Sequence, residues 1–163
     1  MEFSVSELID ASFDQIVHAL QDPAYYQHLA LTASTAVQAP ELLGATTADG
    51  VLDLSVRYAF AGEISSAAAK VVDAAKLTWV IYTTLNLAQG QGSIVVHPDH
   101  YGDLLTCEAT VEFAEHEDGT TESFSGALTV HVPLFGSTVE QAILRGLEAH
   151  LASEASALST FIQ

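Results

Sequence analysis

Most of the chain between residues 35 and 132 alternates hydrophobic and polar side chains, which is the period of strands with one buried face. Five stretches carry this alternation or a short apolar run: 52–60, 77–85, 92–97, 105–113 and 124–132. Turn residues separate them, and Glu117–Asp118–Gly119 has the composition of a hairpin turn between the last two strands. The pattern predicts an antiparallel meander, interrupted by one short helix in the alanine-rich stretch 65–75.

Helical patterns precede this meander. A first strand is predicted around Phe3, and Ser12 and Gln15 after it have the spacing of a capping box that opens a helix. Asp22 and Pro23 then predict a second short helix, because aspartate is a good N-cap and proline fits the first helical position.

The longest helix is predicted at the C-terminus. Ser137 and Glu140 have the spacing of a second capping box, and the pattern after them is helical to the end of the chain. One stripe of this helix is apolar: Val139, Ile143, Leu147, Leu151, Leu158 and Phe161. Because such a stripe must be buried against something, we expect the helix to pack on the sheet, which makes the fold class α+β.

The order of strand, two short helices, long meander and terminal helix resembles the helix-grip fold of the START-like (SRPBCC) superfamily. The likeness is strongest to a bacterial family of unknown function within it, and segments 3–20, 22–26 and 130–136 carry it. The resemblance implies a curved antiparallel sheet wrapped around the C-terminal helix, with an apolar cavity between them. Members of the superfamily include lipid and hormone carriers, polyketide cyclases and protein-binding modules, so the fold alone does not choose the function.

Length and composition fit one soluble domain over residues 1–163, since hydrophobic residues make up 49% of the chain and charged residues only 15%. The formal net charge is -17, from 21 acidic and 4 basic residues. So few cations disfavour binding to the phosphates of nucleic acid or to an anionic membrane surface. A saline habitat is a second explanation of the acidic balance.

One cysteine, Cys107, excludes an internal disulfide, and a reducing cytoplasm is the expected compartment. Neither a signal-peptide pattern nor a long apolar segment is present, so membrane insertion is not expected. The glycines lack the context of a phosphate loop, and we expect no cofactor. The segment His97-Pro98-Asp99-His100 contains residue types that bind metals. The proline excludes a regular helix through it, and the sequence positions no third ligand. A solvated turn is expected there, and no metal.

His150 and Glu154 fall inside the apolar stripe of the C-terminal helix, one turn apart. Facing a cavity, they would share a proton, act as general acid and base, or orient the polar group of a ligand. The alternative interpretation is a slight roll of the helix that leaves both at the wet edge of the stripe, or a structural ion pair.

Alternation places Tyr58 and Trp79 on the inner face of the sheet, where each would line a pocket or simply fill the core. Asp53 and Arg57 point outward by the same parity, which favours a surface ion pair over catalysis. Cys107 lies among inward residues and is expected to behave as a small hydrophobic side chain.

The candidate ligand-binding residues are therefore Tyr58, Trp79, Leu147, His150 and Glu154, and no catalytic residue is assigned. The first hypothesis is a binding protein that holds a small hydrophobic molecule between sheet and helix. The second is an enzyme of the cyclase or dehydratase kind, in which His150, Glu154 and Tyr58 move protons on a polyketide-like substrate. The third is a protein-interaction module that uses an exposed face of the sheet. The pattern does not encode the oligomeric state or the identity of the ligand.

Overall fold

A computed structural model describes residues 1–32, 37–60, 66, 68–70, 72–134 and 136–163. Its strands are β1 (Glu2–Ile9), β2 (Val37–Ala48), β3 (Val51–Phe60), β4 (Thr78–Asn86), β5 (Gln91–Pro98), β6 (Leu105–His116) and β7 (Gly119–Val130). Its α-helices are α1 (Phe13–Leu20), α2 (Pro23–Thr32) and α3 (Gly136–Ile162). The α+β class and the element order are those expected from the sequence.

The predicted meander is confirmed as one curved antiparallel sheet of order β1-β7-β6-β5-β4-β3-β2, with β1 paired to β7. The boundaries of β7 differ from the expected 124–132. Gly119 takes a φ of 134° directly after the hairpin turn and pairs with His116, so β7 begins five residues earlier than predicted. This earlier start places Thr120 and Glu122 in the sheet as well.

Capping residues set the starts of α1 and α2. The Ser12 hydroxyl accepts the Gln15 N–H, and the Gln15 side chain accepts the Ser12 N–H, as the capping box predicts. The Asp22 carboxylate accepts the Ala24 N–H at 2.9 Å, next to Pro23 at the first position of α2. Both helices therefore begin where the sequence predicts.

The capping box predicted at Ser137 and Glu140 is wrong. α3 already begins at Gly136, and the Glu140 carboxylate accepts the backbone N–H of Val130 at 2.9 Å. The terminal amino group of Met1 lies 3.8 Å from the same carboxylate. Glu140 therefore joins the start of α3 to the end of β7 and the start of β1.

The core lies between the inner face of the sheet and the C-terminal half of α3. Leu151 and Leu158 of this half are buried, and α3 lies against α1, α2, β1 and β7. The N-terminal half is less covered. Val139, which the sequence places in the buried stripe, is 36% exposed.

The short helix predicted at 65–75 lies partly outside the described residues. The described parts contain two 3₁₀ turns, Ala68–Lys70 and Ala74–Lys76. The Asp73 carboxylate accepts the Ala75 N–H at 3.0 Å and caps the second turn.

Candidate functional site

Small residues lie at the centre of the inner face of the sheet. One row of this face runs through Phe3, Gly126, Ala109 and Ile94 on four neighbouring strands. A Cβ added to Gly126 would lie 2.7 Å from that of Ala109, so a larger side chain does not fit there. Phe3 and Ile94 pack against the core and still stay partly exposed. We call the space between this row and the N-terminal half of α3 the inner cleft.

Three of the candidate residues meet beside the inner cleft and form a polar triad. The Tyr58 hydroxyl donates to Glu154 Oε1 at 2.8 Å, and His150 Nε2 lies 3.3 Å from the same oxygen. The His150 ring meets the Tyr58 ring edge-on, with centroids 5.3 Å apart. The side chains of His150 and Glu154 are 13% and 19% exposed, so water reaches both of these inward-facing groups.

Burial and mutual attraction act in opposite directions on this pair. Burial alone would raise the pKa of Glu154, but the His150 charge and the hydrogen bonds from His150 and Tyr58 lower it below its ordinary value. Burial alone would lower the pKa of His150, whereas the charge and hydrogen bond of Glu154 raise it overall. The contact between the two side chains therefore favours the ionised form of the pair. Among the described residues, His150 Nδ1 is buried without a hydrogen-bond partner.

Aromatic rings surround the triad. Trp79 lies opposite Tyr58 in the β3–β4 ladder and stacks on it, with ring centroids 6.1 Å apart at 12°. Tyr25 and Tyr26 of α2 are buried on the other side, where burial and then the charge of Glu154 raise their phenol pKa. All of these phenols are therefore neutral hydrogen-bond donors at physiological pH.

The structure places the five candidate residues on β3, β4 and α3. Tyr58, His150 and Glu154 are in direct contact, and Trp79 is stacked behind Tyr58. Leu147 lies one turn before His150 on α3, is half-buried, and packs against the core. Leu147 thus supplies apolar surface next to the triad without touching its polar atoms.

The sequence analysis missed one polar residue of the inner face, Glu122. It pairs with Glu7 of β1 on one side and with Phe113 of β6 on the other, and it is only 9% exposed. Burial, followed by the negative charges of Glu154 and Glu7, raises the pKa of Glu122 to about 8. The sequence did carry a signal for Glu122, because residues two apart on a strand face the same side and Phe124 was predicted to face inward. The signal was not used, because the strand was predicted to begin only at residue 124.

The surface ion pair predicted between Asp53 and Arg57 is wrong. Arg57 instead donates to both oxygens of Asp99, at 3.1 and 3.2 Å. Asp99 follows β5 and is held against β4, because its N–H donates to the Thr78 carbonyl and its carboxylate accepts the Thr78 hydroxyl. The Asp53 carboxylate accepts the Thr84 hydroxyl at 2.9 Å. Asp99, in the turn after β5, therefore forms the surface ion pair with Arg57.

Cys107 lies half-buried on the inner face of β6. Burial, followed by the charge of Glu108, raises the pKa of its thiol, so the thiolate that reacts as a nucleophile is disfavoured.

The described residues contain no group of three or more histidine, cysteine, aspartate or glutamate side chains placed to hold a metal ion. None of the described helices combines the length and the hydrophobicity of a membrane span.

The outer face of the sheet carries a broad, open depression of about 980 Å³ over β1, β7, β6 and β5. It is lined by the four residues of the row described above, Phe3, Gly126, Ala109 and Ile94, and by Glu2, Ser4, Ser93, Val95, Glu108, Thr110, Ser125 and Ala127. None of the five candidate residues borders it. Because the depression is open rather than enclosed, it offers little burial to an apolar molecule.

A curved sheet that wraps a long C-terminal helix, with two short helices after the first strand, is the helix-grip fold. Residues 4–162 match the family described as "Protein of unknown function (DUF2505)", and the chain belongs to this family. The comparison with curated proteins gives no significant match.

Solved structures share this fold. A protein from Thermus thermophilus matches with a TM-score of 0.67 at 13% identity, over 99% of this chain and 97% of that chain. The Zhui aromatase/cyclase from Streptomyces sp. R1128 matches with 0.61 at 12% identity, over 100% and 96%. A point mutant of norcoclaurine synthase from Thalictrum, in complex with a transition-state analogue, matches with 0.61 at 20% identity, over 99% and 93%. These likenesses show the fold alone.

Proposed function

We propose that the protein binds a small, mainly apolar molecule in the inner cleft, with the polar group of that molecule beside His150 and Glu154. The observation that carries this proposal is the incomplete burial of inward-facing apolar residues. Phe3, Ile94 and Leu147 pack against the core and remain partly exposed, and Leu147 lies one helical turn before His150. Protein interiors are normally packed as densely as organic crystals, so exposed surface on an inner face favours an occupant.

The chemistry of the cleft also fits a small-molecule site. Such sites combine apolar walls with a few polar groups that fix the orientation of the ligand. Both hydrogen bonds of the triad end on Oε1 of Glu154, and a carboxylate accepts about four hydrogen bonds in all. Oε2 of Glu154 can therefore accept a hydrogen bond from a hydroxyl or amino group of the ligand.

Native mass spectrometry of the gently purified protein tests for a co-purified molecule. A second test is titration with naphthalenemethanol, followed by the fluorescence of Trp79, which is the only tryptophan in the chain. Ala109→Leu fills the central row of the inner face, whereas Ala127→Leu adds the same side chain to the exposed outer face of β7. We expect Ala109→Leu to weaken binding at least about tenfold and Ala127→Leu to leave it unchanged. Unchanged binding in Ala109→Leu would contradict the proposal.

The polar triad favours a second candidate function, acid–base catalysis of the cyclase or dehydratase kind in the same cleft. An ionised Glu154 beside a protonated His150 offers a base and an acid one turn apart. Deuterium exchange at the carbon next to the carbonyl of a bound ketone, followed by NMR, tests this function. We expect Glu154→Gln to abolish the exchange and Tyr58→Phe to slow it. Binding of the ketone without exchange would contradict the catalytic function and leave only the binding function.

A further inference from the structure

One carboxyl group on the inner face makes no hydrogen bond within the described part of the chain. Glu122 is 9% exposed and lies between two core residues of the same strand face, Thr120 and Phe124. Glu7 lies directly opposite it on β1. Among the described residues, no donor makes a hydrogen bond to the Glu122 side chain. The one buried side-chain atom without a partner among the described residues is His150 Nδ1, so the oxygens of Glu122 are not sealed off and can accept hydrogen bonds from a ligand.

Glu154 lies at the same level on the opposite wall. The N–H of Asp10, just after β1, donates to Ser159 Oγ near the end of α3 at 3.0 Å, and both elements run in the same direction from that contact. Glu154 lies about 7.5 Å before Ser159 by helix rise, and Glu7 lies about 10 Å before Asp10 by strand rise. The charge of Glu154 accordingly acts on Glu122. The carboxyl groups of Glu122 and Glu154 therefore border one space.

No lysine or arginine balances these carboxyl groups. All four of these residues lie at the surface of the protein: Arg57, Lys70, Lys76 and Arg145. The positive charge of His150 is already paired with Glu154. A ligand carboxylate, such as that of a fatty acid, would therefore meet other carboxyl groups in the cleft without a free cation to receive it.

We propose that the ligand of the inner cleft is an amine, whose ammonium group binds between Glu122 and Glu154 while its apolar part lies in the cleft. This inference rests on the proposed function and names the chemical class of the ligand. An ammonium group supplies the hydrogen-bond donors that Glu122 lacks. The faces of Tyr58 and Trp79 also attract cations, and the net charge of -17 raises the local concentration of cations around the protein.

Binding of the amine is coupled to the loss of one proton. The groups that face Glu122 are Glu7 on β1, Glu154 and His150 on α3, and Tyr25 on α2. With its pKa raised to about 8, Glu122 is protonated at neutral pH. The arriving ammonium group keeps its own proton, the Glu122 carboxyl proton passes to the solvent, and no bond of the ligand changes. The affinity should therefore rise about tenfold per pH unit below the pKa of Glu122 and level off above it.

Calorimetry with three probes of one shape tests the inference: naphthylmethylamine, naphthalenemethanol and naphthoate. Near neutral pH, we expect the amine to bind at least about tenfold more tightly than the alcohol, and naphthoate to bind most weakly. Titration in two buffers of different ionisation enthalpy counts the protons released. We expect close to one proton for the amine and none for the alcohol.

Glu122→Gln keeps the shape of the side chain but cannot ionise. We expect this variant to lose at least about tenfold in amine affinity and to lose the proton release, while its affinity for the alcohol stays unchanged. The control is Glu112→Gln, which removes one exposed carboxylate from β6 and should behave as the wild type. Equal binding of amine and alcohol, or equal effects of the two variants, would overturn the amine inference and leave the proposed function standing. Binding of none of the three probes would overturn both.

Discussion

The two halves of α3 carry similar apolar side chains in very different surroundings. In the C-terminal half, Leu151, Ala155 and Leu158 are 6% exposed or less, whereas Val139 in the N-terminal half is 36% exposed. The reason lies in the neighbours of each half. The C-terminal half contributes Leu151, Ala155 and Leu158 to the buried core, whereas in the described N-terminal half only Leu147 packs against that core, and it is partly exposed.

This difference explains where the polar triad lies. His150 and Glu154 are on α3 at the boundary between its two halves, next to Tyr58 of β3. At this boundary the attraction between the two groups outweighs burial and sets the direction of both pKa shifts, yet water still reaches both side chains. A helix buried along its whole length would shield the pair from water. The candidate site therefore lies where the packing of α3 changes.

The largest expected effect is the contrast between two leucines of α3. Leu158→Ala should lower the free energy of unfolding by about 2 to 5 kcal/mol, because Leu158 is 2% exposed and its removal leaves a cavity. Leu147→Ala should cost about 1 kcal/mol or less, since part of this side chain already meets water. Denaturant unfolding of both variants measures the difference. Equal losses would show that α3 is packed evenly.

The fold was predictable where an element has a local signal. Alternation located β1 and β3 to β7, and the pair Ser12 and Gln15 marked the start of α1. The irregular strand β2 (Val37–Ala48), whose pairing with β3 shifts register twice, was not located. Helical periodicity identified the apolar face of α3, but it does not measure how far that face lies from the sheet. The close approach of Gly126 and Ala109 on the inner face arises only after β6 and β7 pair. The uneven packing was therefore beyond the local pattern.

The sequence predicted which way the side chains of the candidate site point, but not which of them touch each other. Parity placed Tyr58 inward and the helical wheel placed Glu154 inward, but their hydrogen bond joins residues 96 positions apart. No local pattern reports such a pairing. Glu122 was missed because of a strand boundary, and Arg57 was paired with the wrong partner because Asp99 reaches it only through the turn after β5.

The next effect concerns the pH dependence of stability. The pKa of Glu122 is about 8 in the folded protein, compared with about 4.3 in an unfolded chain. Between these values the folded state binds the extra proton, so the free energy of unfolding falls as pH rises. His150, whose pKa is also raised, adds a loss of stability in the same direction as pH rises through its folded pKa. The contributions of Glu122 and His150 to this pH dependence can be separated with a variant that lacks the Glu122 carboxyl group.

In Glu122→Gln the contribution of the carboxyl group is removed. We expect the stability of the wild type, relative to this variant, to fall by about 2 to 4 kcal/mol as pH rises from about 5 to about 8. Glu112→Gln is the matched control and should follow the wild type. A pH profile of Glu122→Gln parallel to that of the wild type would mean that Glu122 is solvated.

A smaller effect is expected at the boundary of the two halves. In the wild type the pKa of His150 lies above its ordinary value of about 6.5, because the attraction of Glu154 exceeds the opposing effect of burial. Glu154→Gln removes that attraction and leaves burial, so the pKa should fall below its ordinary value. NMR titration of the His150 ring measures it. Titration near the ordinary value in both proteins would show that the pair is exposed and uncoupled.

The smallest effect is expected at the exposed start of α3. Val139→Ala should change the free energy of unfolding by no more than about 0.5 kcal/mol, because the lost contact area is small and alanine has the higher helix propensity. Leu151→Ala, in the buried half, is the comparison and should cost several times more. Denaturant unfolding measures both variants. A loss above about 2 kcal/mol at Val139 would mean that something outside the single chain, such as a second copy or a retained ligand, covers this half of the helix. The unevenness of α3 would then belong to the isolated chain, and the open end of the inner cleft would be closed in solution.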